Sequence, residues 1–133
     1  MNKYQNLPEL FFSKSKENLK NQHLLKINNN TNQIESWTWS NTYSSVNKIY
    51  QFILSQNLEK NERILLVSEN RPEWMAADIA IMSNQLIAVP NYITYTSRDF
   101  EHILNDSKPK GLIVSNKTLL NTVLIASKKI NFE

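Results

Sequence analysis

The sequence predicts an α/β protein: a partial layered α/β domain with mainly parallel strands and crossover helices, preceded by an N-terminal helix and a β-hairpin. Three observations carry that prediction. From Ser40 onward, amphipathic stretches and short apolar runs alternate as helix, strand, helix, strand, helix, strand, helix. Short connections of this kind call for parallel strands joined by right-handed crossovers. The run "RILLVS" (Arg63 to Ser68) is nearly continuous in apolar residues, the pattern of a strand covered on both faces. A chain of 133 residues is one domain's worth, and a chain of that size buries roughly two-thirds of the surface it would expose unfolded.

Each element has its own local reason. Residues 7 to 20 form a mixed amphipathic stretch with Pro8 in its first turn, and Leu7, Leu10, Phe11 and Leu19 are expected to share one helical face. "HLLKI" (His23 to Ile27) reads as a strand. "NNNTNQ" (Asn28 to Gln33) is turn chemistry with almost nothing to bury, and "IESWTWS" alternates into a second strand, which makes a hairpin. Ser40 or Asn41 is the expected cap of the next helix, whose Val46, Ile49, Tyr50, Ile53 and Leu54 fall at helical spacing.

"NLEKNE" breaks that helix before the Arg63 strand. Asn70 is the expected N-cap of the helix that follows, with Pro72 in its first turn and Glu73 placed against the helix dipole. The stretch from residue 72 to 84 is apolar almost all round, so it must be buried on most of its surface. It also raises the expectation that the isolated chain leaves a large apolar patch uncovered and associates. "LIAV" (Leu86 to Val89) is a strand that Pro90 is expected to end. Ser97 is expected to cap a short helix that turns Phe100, Ile103 and Leu104 inward. "GLIVS" (Gly111 to Ser115) is the last strand, and Asn116 opens a final helix ending in "SKKI".

Composition removes several function classes. There is no cysteine, which excludes thiol catalysis and disulfides, and no apolar run reaches the length of about 18 residues needed to span a bilayer. The N-terminus lacks the apolar core of a secretory signal, so a cytoplasmic location is expected. The net charge of +3 invites a nucleic-acid reading. The lysines argue against it: Lys14, Lys16, Lys20, Lys108, Lys110, Lys128 and Lys129 are scattered among Glu17, Glu101 and Asp106, with no basic stripe or interleaved aromatics. Glycine is scarce. Gly111 stands alone where a chain of this length averages roughly nine, while asparagine, which tolerates left-handed turns, is abundant.

The candidate chemistry is thin. Glu69, Glu73 and Asp78 are the carboxylates that could form an acid/base pair. No nucleophile converges on them, and the simpler reading gives Glu73 to the helix dipole and Asp78 to a backbone or Arg71 partner. His23 and His102 lie far apart without a neighbouring ligand type, so no metal site is expected. Trp37, Trp39 and Trp74 read as core aromatics rather than a stacking platform. "YTS" (Tyr95 to Ser97) matches the first letters of the Tyr-Thr-Ser-Gly-Thr-Thr-Gly phosphate loop of adenylate-forming enzymes. It continues into Arg98, Asp99 and Phe100, which cannot turn successive N–H groups around an anion.

Longer stretches carry a resemblance. "NLPELFFSKSKEN", "SWTWSNTYSSVNKIYQFI" and "ERILLVSENRPEWMAADIAIMSNQLIAVPNYITYTSRDFEHILNDSKPKGLIVS" resemble the N-terminal part of long-chain acyl-CoA synthetases, in the AMP-binding, adenylate-forming superfamily. The resemblance runs from Leu7 to about Ser115, with "SENRPEW", "AVP" with Tyr92 and Thr94, and "YTSRDFEHILNDS" as its most specific parts. Members of the family usually have glycine near Asn57 and near Gln85. Here asparagine and glutamine stand there, which puts the local turn geometry in question.

The resemblance implies ATP-dependent activation of a fatty acid as an acyl adenylate, then transfer to coenzyme A. ATP, Mg²⁺ and CoA are the cofactors implied for the full-length enzyme. In the family, the polyphosphate cradle and the metal and nucleotide contacts lie downstream of the matched stretch, so no catalytic, cofactor-binding or metal residue is carried over. The expectation is therefore that residues 1–133 are the N-terminal part of an AMP-binding domain, truncated before the phosphate loop and inactive alone. The missing remainder, as a separate chain, is the expected partner. Relatives often sit at the inner membrane face. The alternative is a non-catalytic α/β interaction module that retains the scaffold.

Overall fold

The computed structural model describes residues 3–28 and 31–131 of the 133-residue chain. The chain divides into two compact units, Met1–Asn57 with Arg71–Asn84, and Leu58–Asn70 with Gln85–Glu133.

The first unit holds α1 (Leu7–Asn18), the antiparallel hairpin β1 (Gln22–Ile27) and β2 (Ile34–Thr38), α2 (Trp39–Leu54) and α3 (Pro72–Ser83). Asn6 caps α1 by accepting from the Glu9 N–H at 2.9 Å, with Pro8 in the first turn as expected. The face that α1 buries is not the expected one. Phe11 and Ser15 are buried, whereas Leu7, Leu10 and Leu19 are exposed and Leu19 lies beyond the last helical residue. Phe11 is held because its ring meets aromatics from two other elements, Trp39 at 5.9 Å and His23 at 6.2 Å between centroids.

The hairpin pairs Ile27 with Ile34 and Leu25 with Ser36. Two residues of its Asn-rich turn, 29 and 30, lie outside the described residues. The second strand stops at Thr38, earlier than expected, because Thr38 caps α2. Its hydroxyl accepts from the Asn41 N–H at 3.2 Å, and the Asn41 side chain returns the bond to the Thr38 N–H at 2.9 Å. Asn41 therefore takes part as the third helical residue, and Ser40 is already inside the helix. Val46 and Ile53 of the expected stripe are buried with Thr42, while Leu54 at the helix end is exposed.

Helix α3 starts one residue later than expected, with Arg71 rather than Asn70 at the cap position and Pro72 in the first turn. α1, α2 and β1 pack against it, and Asn84 at its end donates to the Tyr50 carbonyl of α2 at 3.2 Å. Pro72, Ala76, Ala77, Ile79, Ala80 and Ile81 are buried, and no residue of the helix is exposed. On α3 itself Trp74, Met75 and Met82 are only half-buried. Exposed aliphatic side chains sit at Leu25, Ile27 and Ile34 of the hairpin, among other places.

The second unit is a three-stranded parallel sheet in the order β4-β3-β5, with β3 (Arg63–Val67), β4 (Ile87–Asn91), α4 (Ser97–Ser107), β5 (Gly111–Val114) and α5 (Lys117–Lys129). The central strand buries Ile64, Leu65, Leu66 and Val67, as its unbroken apolar run requires. Leu65 and Val67 join Phe100 and Leu104 of α4 and Leu119, Val123 and Ala126 of α5 in one core.

Pro90 does not end β4 but lies inside it, opposite Leu66. β4 is an edge strand, and there a residue without an N–H leaves no ladder bond unmade. Helix α4 is capped by Thr96, not Ser97. Asp99 reaches back to accept from the Thr96 N–H at 2.8 Å and from its hydroxyl at 2.7 Å. Asn116 caps α5 as expected, accepting from the Leu119 N–H at 2.9 Å.

The turns settle the question raised by the missing glycines. Asn57 and Gln85 adopt left-handed φ values of 53° and 60°, and Asn61 and Lys108 do the same at 67° and 44°. The turn geometry is the one glycine favours, kept by side chains that strain it. Gln85 is anchored by its carbonyl, which accepts from the Asn61 N–H at 2.9 Å. Lys108 ends α4 by donating its N–H to the Leu104 carbonyl at 3.0 Å, with Pro109 directly after.

Candidate functional site

In open parallel sheets, ligands bind beyond the carboxyl ends of the strands, where successive connections diverge. In the second unit that place is the end of β3. The chain goes from β3 to β4 on one side and then to β5 on the other. The residues there are Ser68 and Glu69 after β3, Tyr92 after β4, and Ser115 and Asn116 after β5.

The β3 and β5 ends are tied together. The Ser115 N–H extends the ladder to the Val67 carbonyl at 3.1 Å, and the Asn116 amide donates to Glu69 Oε1 at 2.9 Å. The same Asn116 accepts from the Leu119 N–H, so one side chain caps α5 and positions Glu69. The Ser68 hydroxyl is turned to the Glu69 carbonyl at 3.0 Å. Tyr92 is exposed, and its ring meets Tyr95 edge-on at 5.5 Å. This edge offers hydroxyl, amide and carboxylate groups for hydrogen bonding. It carries no histidine and no base set against a nucleophile.

The other carboxylates weighed from the sequence lie in the first unit. Glu73 forms a two-pronged ion pair with Arg71, at 2.9 Å from Nε and 2.8 Å from Nη2. The guanidinium holds its carboxyl at about 2, against an ordinary 4.5. Arg71 thus pairs with Glu73 rather than with Asp78. Asp78 is half-buried, and that burial pushes its carboxyl above the ordinary range.

His23 stacks on Trp39, with centroids 3.6 Å apart and planes 20° from parallel, and its Nδ1 lies 3.0 Å from Thr42 Oγ1. Burial pushes its titration below the usual histidine range. The sequence gives little warning of this cluster, since Phe11, His23, Trp39 and Thr42 come from three elements. Trp37 and Trp74 are half-buried like Trp39. His102 is on the exposed side of α4. Of "YTS", Tyr95 packs on Phe100 at 6.0 Å, Thr96 is the cap and Ser97 begins the helix. Thr96 followed three residues later by Asp99 is a capping signature that the sequence does display.

The described residues do not fit a Mg²⁺-polyphosphate site. No group of three or more histidine or acidic side chains among them is placed to hold a metal ion. Gly111 lies in β5 opposite Ile64, where an added Cβ would meet Ile64 at an ordinary 3.6 Å, so it lines no anion cradle. No helix among the described residues is long and apolar enough to cross a membrane.

Comparison with known proteins gives a consistent picture. A family model described as AMP-binding enzyme matches residues 15–131. Fatty acyl-CoA synthetase A of Dictyostelium discoideum is 33% identical over 73 residues, covering 55% of this chain and 11% of that protein. The mitochondrial acyl-coenzyme A synthetase ACSM3 of Homo sapiens is 29% identical over 98 residues, covering 71% of this chain and 17% of that protein. The chain therefore spans under a fifth of the length of these curated relatives. The inhibitor-bound N-terminal domain of FACL13 from Mycobacterium tuberculosis superposes with a TM-score of 0.78 at 17% identity, covering 94% of this chain and 30% of that one. That last likeness is one of fold.

Proposed function

The chain belongs to the AMP-binding enzyme family, and from that membership we propose that residues 1–133 form the N-terminal part of the AMP-binding domain of a long-chain fatty acid–CoA ligase. The observation that carries the proposal is the family match along nearly the whole chain, supported by relatives that are themselves acyl-CoA synthetases. In this reading the intact enzyme uses fatty acid, ATP and CoA, acts in the cytoplasm or at the inner membrane face, and grips the polyphosphate with residues other than these. Such a grip needs donors preorganised around the charge that develops, commonly with a metal ion.

The 133-residue polypeptide is accordingly inactive by itself, and the rest of the enzyme, if encoded apart, is its natural partner. Fatty-acid-dependent ATP–pyrophosphate exchange tests the first statement. The expected signal is no higher than that of buffer, and robust exchange by this polypeptide alone overturns it. Reading the coding sequence beyond codon 133 tests the second. A glycine-rich Thr/Ser loop in frame, or after one frameshift, supports the ligase reading. A stop followed by an unrelated gene supports a non-catalytic module.

A further inference from the structure

We draw no further inference here: the strongest candidate, the exposed apolar face of the β1–β2 hairpin carrying Leu25, Ile27 and Ile34, is an unpartnered surface and nothing in the structure shows what covers it.

Discussion

The hairpin of the first unit and the parallel sheet of the second use similar aliphatic residues to opposite effect. In β3, Ile64 to Val67 are at most 3% exposed; in the hairpin, Leu25, Ile27 and Ile34 are 59%, 62% and 66% exposed. The difference is one of position. β3 has a strand on each side and every one of its apolar residues is covered, whereas both hairpin strands are edges and one face of the pair is open. An apolar residue in a strand stabilises the fold only as far as its neighbours cover it. The unbroken run of β3 is a stronger signal than the mixed pattern of β1 because only a doubly covered strand tolerates such a run in water.

The sharpest test of that contrast is a matched pair of truncations. Leu65→Ala in β3 is expected to lower the unfolding free energy by about 3 kcal/mol, since it empties space in a close-packed core. Leu25→Ala in the hairpin is expected to change it by less than about 0.5 kcal/mol. Urea denaturation of the two variants measures both, and equal losses would break the comparison.

Caps come next in size and compare the units on equal terms. Thr38→Ala in the first unit and Asn116→Ala in the second each remove an acceptor from a helix start, for an expected loss of about 1 kcal/mol. Asn116→Ala also removes the hydrogen bond to Glu69, so thermal melts that show a larger loss there would expose a contribution from the strand-end bond.

The strained turns work in the opposite direction. Gln85→Gly relieves a left-handed glutamine and is expected to stabilise the chain by roughly 0.5 kcal/mol, net of the freer unfolded state. Asn57→Gly is expected to be close to neutral, because asparagine already tolerates that conformation. Chemical denaturation of the two variants distinguishes these outcomes.

The smallest effects are electrostatic, and those of Glu73, His23 and Asp78 lie in the first unit. Glu73 titrates at about 2 when folded and near 4.5 when unfolded. The unfolded chain therefore takes up the proton first as pH falls. The Arg71–Glu73 contribution is complete above 4.5 and is lost on the way down to about 2. Both side chains are partly exposed, so the effect should stay below about 1 kcal/mol. His23 adds a second window. Its folded value is depressed below 6.5, so its contribution is full above 6.5 and declines as the solution is acidified through that lowered value. Asp78 has the reverse sign, because its raised carboxyl makes protonation favour the folded state. Stability measured against pH in Glu73→Gln and His23→Phe should lose the lower and upper windows respectively. A curve unchanged in either variant would remove that residue from the account.

Much of the fold was legible in the residues, and the misses share a cause. The order of helices and strands, the hairpin, the parallel sheet and the Asn116 cap follow from periodicity and short-range chemistry. The caps at Thr38 and Thr96 were assigned one to three residues late and that at Arg71 one residue early, because several adjacent polar residues could serve and packing chose among them. Pro90 was read as a strand end because nothing local says that β4 is an edge. At the carboxyl edge of the sheet, Glu69 and Asn116 are 47 residues apart, and only the strand order brings them within hydrogen-bond distance.

By itself, then, the sequence determined the class of fold and the family, since both are written in spacings and short motifs that survive without knowing what lies beside them. The tertiary structure alone decided that α1 turns Phe11 rather than Leu7, Leu10 and Leu19 inward, that Asn57 and Gln85 bear left-handed turns, and that Arg71 serves Glu73 instead of Asp78. Each of these depends on which of several chemically adequate neighbours is close enough to compete, and that proximity is set by packing across the chain rather than along it.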